Sequence, residues 1–234
     1  MINRLYSSGN SILRPGTKID WPSRSGDQID RKSLGEPIPQ LADISRFPEL
    51  IALFSPQGML DRIRRKLIAL SQKKGVIIPA KGTIAMAHPA AEDESGTVYV
   101  GVEFALQHQS QEPVVAGVLA HEWGHLLSDE LLISDFAGLT WDELWELRRE
   151  EEAAADAYSG KALHLLRYPV EPMAEFLLKS QGKIETHKYH PVELRARIIR
   201  EAYALEVRRK ALLEKFFARS VYPNPFQQPL VSIG

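Results

Sequence analysis

VVAGVLAHEWGHLL, residues 114–127, is the most informative stretch of this chain. It places an H-E-x-x-H signature inside an apolar run, which predicts a buried helix. On a helix, His121 and His125 stand four residues apart on one face, so two imidazole nitrogens can converge on one metal ion. Glu122 follows about 100° further round the helix and can act on a water without ligating the metal. We therefore predict His121 and His125 as metal ligands and Glu122 as a general base.

The alternative for these histidines is a surface pair without a ligand. The apolar residues on both sides argue against it, because a desolvated imidazole needs a polar partner. Two histidines alone do not complete a hydrolytic zinc site, which takes a third protein ligand and leaves one position for water. The metzincin solution, a histidine six residues after His125, is excluded because residue 131 is leucine.

A glutamate from a later helix is the other common third ligand, and the segment EEEAAAD at 150–156 supplies one. Glu152 and Asp156 lie four residues apart on one helix face. One of them can bind the metal while the other accepts a hydrogen bond from the outer nitrogen of a ligand histidine. We predict Glu152 as the ligand, with Asp129 and Asp135 as the next candidates. The remaining acids of the segment have alanine four residues further on and are interpreted as solvated: Glu150 and Glu151.

Composition limits the partners and the chemistry. The 234 residues are 44% hydrophobic and 25% charged, with a formal net charge of −1, so no basic field indicates a nucleic-acid partner. The absence of cysteine excludes disulfides, thiolate zinc ligands and cysteine nucleophiles. No apolar run reaches the roughly 20 residues of a membrane span, and the N-terminus lacks a signal-peptide core. We expect a soluble, cytoplasmic protein without stable membrane insertion, although a cysteine-free chain suits the periplasm or secretion equally.

The distribution of glycine, proline and apolar residues divides the chain into three parts. Residues 1–46 contain many breakers and are predicted to form an extended arm, a flexible tail or a pro-segment. Residues 47–220 carry the periodic patterns of a folded domain, and residues 221–234 form a proline-containing tail. Either terminal segment could block the site and hold the enzyme latent.

Hydrophobic periodicity within 47–220 predicts an α+β fold, mostly helical, with a small β-sheet before the H-E-x-x-H helix. The last predicted helix carries an apolar stripe expected to face the core: Leu194, Ile198, Ala202, Leu205, Leu212 and Phe216. A first helix is predicted to end at Gly75, and three strands follow near 76–78, 83–86 and 97–102. The metal helix is predicted to begin at about Pro113. A helix capped by Thr140 is predicted to end before Pro169, followed by helices over about 171–180 and 191–219.

Three motifs together resemble those of the gluzincin metallopeptidases, in particular the small soluble members of the HtpX and CAAX-prenyl-protease-like family. They are H-E-x-x-H within 118–125, E-x-x-A-D at 152–156 and H-P…R-I within 190–198. The resemblance implies a zincin-like fold with Zn²⁺ bound by two histidines and Glu152. It also implies that Glu122 is the general base and that Asp156 supports a ligand histidine.

The resemblance further implies that a histidine and an arginine of the H-P…R-I segment stabilise the charge that develops during hydrolysis. His190 carries the H-P pair and Arg197 precedes the isoleucine, so these two are the predicted catalytic residues. The chain departs from the family pattern here, because His187 is an additional histidine and Arg195 lies close to the expected arginine position. The alternative is that this segment only caps and pins the last helix.

The function expected from the sequence is that of a zinc-dependent endopeptidase acting on a protein or peptide. In such enzymes the edge strand before the metal helix can pair with an extended substrate. A second interpretation is an ImmA/IrrE-like protease that cuts a transcriptional regulator. A third is a zinc-containing binding module without turnover, although a purely structural site would gain nothing from Glu122.

Overall fold

The computed structural model describes residues 38–88, 96–128, 140–180 and 188–220. Most of the predicted arm, the tail 221–234, and the alternative residues His187, Asp129 and Asp135 lie outside these ranges. In chain order the elements are α1 Pro48–Phe54, α2 Met59–Ser71, β1 Gly75–Ala80, β2 Ala85–His88, β3 Gly96–Gly101, α3 Val102–Gln107, α4 Glu112–Leu127, α5 Trp141–Leu165, α6 Glu171–Ser180 and α7 Val192–Ser220. The predicted α+β class, mostly helical with a small sheet before the H-E-x-x-H helix, is confirmed.

The sheet has three strands in the order β1-β3-β2. The central strand β3 is parallel to β1 and antiparallel to β2, with Val98 opposite Ile77 on one side and Ala87 on the other. Alternate side chains of β3 are buried, as expected for a β-branched strand packed on one face. Leu41 bridges Ala80 on the outer side of β1, whereas within the described residues the outer side of β2 pairs with no strand.

Helix α4 lies at the centre of the core because its sequence is apolar on every side. It contacts α2, α5, α6 and the sheet. Trp123 is fully buried, and its indole Nε1 donates a hydrogen bond to Ser71 Oγ at 3.0 Å. Gly75 is required beside this ring, because a Cβ there would come within 2.5 Å of the indole Cη2.

The predicted end of α2 at Gly75 is wrong. The helix ends at Ser71, and Gln72 takes the left-handed conformation with φ 61° while its N–H donates to the Ile68 carbonyl. Gly75 instead opens β1. The short helix α3, which follows β3 directly, had not been predicted, since six residues carry too little periodicity to distinguish a helix from the end of the strand.

Helix α5 begins as predicted. Thr140 accepts a hydrogen bond from the Glu143 backbone, and the Glu143 carboxylate accepts one from the Thr140 N–H, which completes the capping box. The helix packs closely on α4, where Gly124 meets Ala155: a Cβ at Gly124 would lie 2.9 Å from the Ala155 Cα. This close approach of two small residues brings the acidic segment of α5 to the histidines of α4.

The predicted stripe on α7 is not its buried face. Leu194, Ile198 and Ala202 are half-buried, whereas the buried residues in the first half of the helix are Arg195, Ala196 and Ile199. Leu205, Leu212 and Phe216 expose 50%, 67% and 66% of their surfaces. The neighbours of α7 are α5 and α6, and the helix continues past them. The period of a helix indicates a face, but it does not indicate how far the neighbouring helices extend. None of the helices in the described ranges is both long enough and apolar enough to cross a membrane.

Candidate metal centre

The two histidines of H-E-x-x-H lie one above the other on α4, as their spacing predicted. Their Nε2 atoms are 3.3 Å apart, and the rings stand nearly perpendicular at 87°. His121 is buried, and the His125 side chain is 16% exposed. The two nitrogens therefore face one common point at the inner edge of the helix.

Glu152 reaches the same point from α5. Its Oε2 lies 3.2 Å from His121 Nε2 and 3.5 Å from His125 Nε2, with only 3% of the side chain exposed. This oxygen nevertheless accepts no well-aligned hydrogen bond within the described part of the chain. A buried carboxylate oxygen without an aligned partner, beside two convergent imidazole nitrogens, fits an ion between the three atoms. His121, His125 and Glu152 could hold a metal ion.

The outer nitrogen of each histidine faces a second carboxylate. His121 Nδ1 lies 2.9 Å from Asp156 Oδ1, which agrees with the predicted supporting role of Asp156. His125 Nδ1 lies 3.7 Å from Glu151 Oε1. Such contacts fix the ring orientation and the tautomer of a ligand histidine. Glu151, interpreted from the sequence as a solvated residue, is therefore part of the site.

Both supporting carboxylates are held in turn by arginines. Asp156, fully buried, accepts two hydrogen bonds from Arg195, from Nε at 2.7 Å and from Nη2 at 2.9 Å. Glu151 accepts one from Arg148 Nη1 at 2.7 Å. The arginines balance buried negative charge that would otherwise be costly.

The acidic surroundings change the titration of the metal-free centre. Burial lowers the pKa of His121, but Asp156 and Glu152 outweigh it and raise the pKa to about 8. Burial also lowers the pKa of His125, and Glu151 and Glu152 raise it to about 10. Burial raises the pKa of Glu152, but its contacts with both imidazoles hold it well below the ordinary value. The acidic surroundings therefore favour protonated imidazoles in the metal-free centre.

No protein-family model, curated protein or solved structure matches this chain. The chemistry of the donor set therefore has to be judged from the site itself. Two imidazole nitrogens and one carboxylate oxygen suit zinc and other divalent transition metals. Glu122 is a buried carboxylate beside this cluster and does not belong to it.

A cavity of about 240 Å³ opens beside the centre. His121 and Glu122 of α4 form one side of it, together with Val118, one turn earlier. The segment leading into β2 and three apolar residues of α6 form other parts of its wall: Thr83, Ile84, Ala85, Met173, Phe176 and Leu177. The cavity thus joins the candidate metal centre, the start of β2 and an apolar surface.

Tyr189, just before α7, and Arg195, in the first turn of α7, complete the wall. The Arg195 guanidinium lies over the Tyr189 ring at 4.5 Å, and Lys188 Nζ lies 3.3 Å from Glu152 Oε1. Burial and the nearby Glu152 raise the pKa of Tyr189 to about 12, so its hydroxyl keeps its proton at neutral pH. Neither Tyr189 nor Lys188 had been predicted, since neither belongs to a recognisable motif.

The structure brings Arg195, and not Arg197, to the centre. Arg197 is 66% exposed and lies 3.9 Å from Glu201 on the outer side of α7. Arg195 is 3% exposed and lines the cavity. His190 is half-buried and is not among the residues that line this cavity. Of the H-P…R-I segment, Arg195 therefore lines the cavity, together with Tyr189 immediately before the segment.

Proposed function

We propose that this chain is a zinc-dependent endopeptidase of the gluzincin type with a zincin-like fold. The observation that carries the proposal is the position of Glu152 Oε2, 3.2 and 3.5 Å from the two H-E-x-x-H imidazoles, while Glu122 stays outside the cluster and faces the cavity. A structural zinc site closes with four protein ligands, whereas three ligands beside a cavity leave a position open for a reacting group.

Zinc bound by His121, His125 and Glu152 would lower the pKa of a water toward neutrality and polarise a carbonyl. Glu122 follows His121 on α4 and is 9% exposed, so its carboxylate faces the cavity with little competition from bulk solvent. We assign it the proton transfers: it accepts a proton from the attacking water and delivers it to the leaving amine.

Two donors are available for the charge that develops on the substrate carbonyl oxygen. Arg195 Nη1 is buried and has no hydrogen-bond partner within the described residues, and Arg195 lines the cavity. Tyr189 lines the same cavity and is held by the guanidinium stacked on its ring. Donors that are fixed before the reaction stabilise developing charge without a reorganisation cost. We propose Tyr189 and Arg195 for this role in preference to His190 and Arg197.

The substrate that suits this cavity is an extended peptide. The outer side of β2 is free within the described residues, and an extended segment can add to such an edge through main-chain hydrogen bonds. Val118, Met173 and Leu177 offer an apolar surface next to Glu122. We therefore propose cleavage beside an apolar residue in an unfolded or extended protein segment.

The test is to compare the wild type with Glu122→Gln for metal content and for cleavage of an unfolded protein, with products identified by mass spectrometry. The wild type should hold about one zinc per chain and cut the substrate. Glu122→Gln should keep its zinc and lose turnover by about 10²–10⁴-fold, because it removes the base and no ligand. Glu150→Gln, an exposed acid on α5, is the control for a lost carboxylate. A zinc-loaded wild type that cuts no unfolded protein would indicate a binding module instead.

A further inference from the structure

The second half of α7 extends beyond the body of the protein. Every residue from 207 to 217 is exposed, whereas Arg195, Ala196 and Ile199 in the first half are buried. The exposed side chains are nonetheless large and apolar: Leu205, Val207, Leu212, Leu213, Phe216 and Phe217 are 43–67% accessible. A helical segment of this length is only marginally stable by itself in water, which indicates that it functions against another surface.

The apolar residues form one face. Leu212 and Phe216 are four residues apart, as are Leu213 and Phe217, so the two pairs lie side by side on adjacent rows of the helix. The rings of Phe216 and Phe217 contact each other at 5.8 Å between centroids. Leu205 lies two turns earlier in the first row, but Arg208 and Arg209 occupy the turn between it and Leu212. The continuous apolar face therefore spans residues 212–217, about one and a half turns of α7.

Cations border this face on both sides. By helical geometry Lys215 lies along one edge and Lys210 along the other, while Arg208 and Arg209 stand on the turn that precedes the face. Residues 207–217 contain four basic residues and one acid, a net charge of +3, in a chain whose overall charge is −1. The ion pair between Lys210 and Glu214 spans 3.9 Å with both side chains two-thirds exposed, so it contributes little. Arg209 lies 3.6 Å from Glu206 at the start of this segment, with its own side chain 65% exposed.

The charge decides among the surfaces that could cover this face. In a second copy of the chain the same face carries the same net charge of +3, so pairing of the two faces would bring like charges together. An anionic lipid surface attracts the cations, and the long Arg and Lys side chains can reach the headgroups while leucine and phenylalanine enter the acyl boundary. We propose that residues 207–217 of α7 dock in the plane of an anionic phospholipid membrane and hold the protein at its surface.

The experiment measures co-sedimentation of the full chain with vesicles of phosphatidylcholine plus phosphatidylserine and with vesicles of phosphatidylcholine alone. Only the anionic vesicles should retain the protein, and added salt should release it. Arg208→Gln with Lys215→Gln should weaken binding about 25-fold, since each cation near such a surface contributes about fivefold. Phe216→Ser with Phe217→Ser should abolish binding, because the apolar contact is lost.

Matched controls lie outside the docking face. Arg197→Gln removes an exposed cation from the first half of the same helix, and Ile51→Ser removes an apolar side chain of α1 that is 44% exposed. Both should leave vesicle binding unchanged. The proposal is overturned if the wild type binds neither vesicle, if it binds neutral vesicles equally well, or if the controls weaken binding as much as the α7 variants. A dimer in solution that Phe216→Ser with Phe217→Ser dissolves, without vesicle binding by the wild type, would assign the face to a second copy.

Discussion

Arg195 holds Asp156 through two hydrogen bonds, from Nε to Oδ2 at 2.7 Å and from Nη2 to Oδ1 at 2.9 Å, and Asp156 Oδ1 lies 2.9 Å from the outer nitrogen of His121. This chain of contacts ties α7 through α5 to the H-E-x-x-H helix. A candidate ligand on α4 is thus oriented by an arginine 74 residues later in the sequence. The arrangement makes the stability of the fold and the geometry of the candidate metal centre depend on the same buried pair.

The first prediction concerns this pair. Arg195→Ala and Asp156→Ala should each destabilise the metal-free protein by about 3–5 kcal/mol, because each leaves a buried charge without its partner. The double variant should cost clearly less than the sum of the two, which urea unfolding of all four proteins would measure. Arg197→Ala, two residues further along α7 and exposed, is the matched control and should change the unfolding free energy by no more than about 0.5 kcal/mol. Additive single effects would show that the contact is energetically unimportant.

The second prediction ranks the three consecutive glutamates of α5 by zinc affinity. Glu152→Gln should lose tight zinc binding, because it replaces the proposed ligand oxygen at the point where both imidazoles converge. Glu151→Gln should weaken affinity by roughly 10- to 100-fold, since Glu151 faces the outer nitrogen of His125. Glu150→Gln should bind like the wild type. Competition with a chromophoric chelator gives the three constants, and equal values would move the third ligand elsewhere.

The third prediction tests whether Tyr189, which lines the cavity, or His190, which the H-P motif indicated, stabilises the substrate carbonyl oxygen. Tyr189→Phe should reduce kcat by about 10²-fold with KM, zinc content and melting temperature nearly unchanged, because it removes one donor and keeps the stacked ring. His190→Ala should reduce kcat much less, since His190 is not among the residues that line the cavity. The opposite ranking would return the role to His190. A fall in melting temperature that follows the fall in kcat would make Tyr189 structural.

The fourth prediction concerns pH. The pKa values of His121 and His125 in the metal-free fold, about 8 and about 10, exceed their ordinary value of 6.5, so both imidazoles carry protons at pH 7. The stability that their charges contribute to the metal-free protein is fully present below pH 6.5 and is lost as pH rises through about 8 and then about 10. Zinc requires neutral imidazoles and must displace both protons.

The zinc dissociation constant should therefore fall about 100-fold per pH unit between roughly pH 6.5 and 8, and less steeply above. Calorimetry in buffers with different ionisation enthalpies would count close to two protons released per zinc at pH 7. Glu150→Gln should release the same number, because that residue is exposed and away from the histidines. A dissociation constant that does not change over this range would show that the imidazoles are already neutral in the metal-free fold.

Features that depend on spacing within one helix were predictable from the sequence. The 3.6-residue period places His121 above His125 and Glu152 one turn from Asp156, whatever surrounds them. The capping box at Thr140 is equally local, because its two hydrogen bonds join residues three apart. The class of donor atoms, and with it the hypothesis of a metal centre, follows from these local relationships alone.

Relationships between elements were decided only by the tertiary structure. Arg195 and Arg197 differ by two residues, about 200° round α7, and only the packing of α7 against α5 determines that the first is buried against Asp156 and the second is exposed. Glu151 joins the site because the Gly124–Ala155 contact sets how closely α5 approaches α4. Residues 207–217 stay exposed because α5 and α6 end before them. The periodicity of the α7 sequence carries no information about the length of those neighbouring helices.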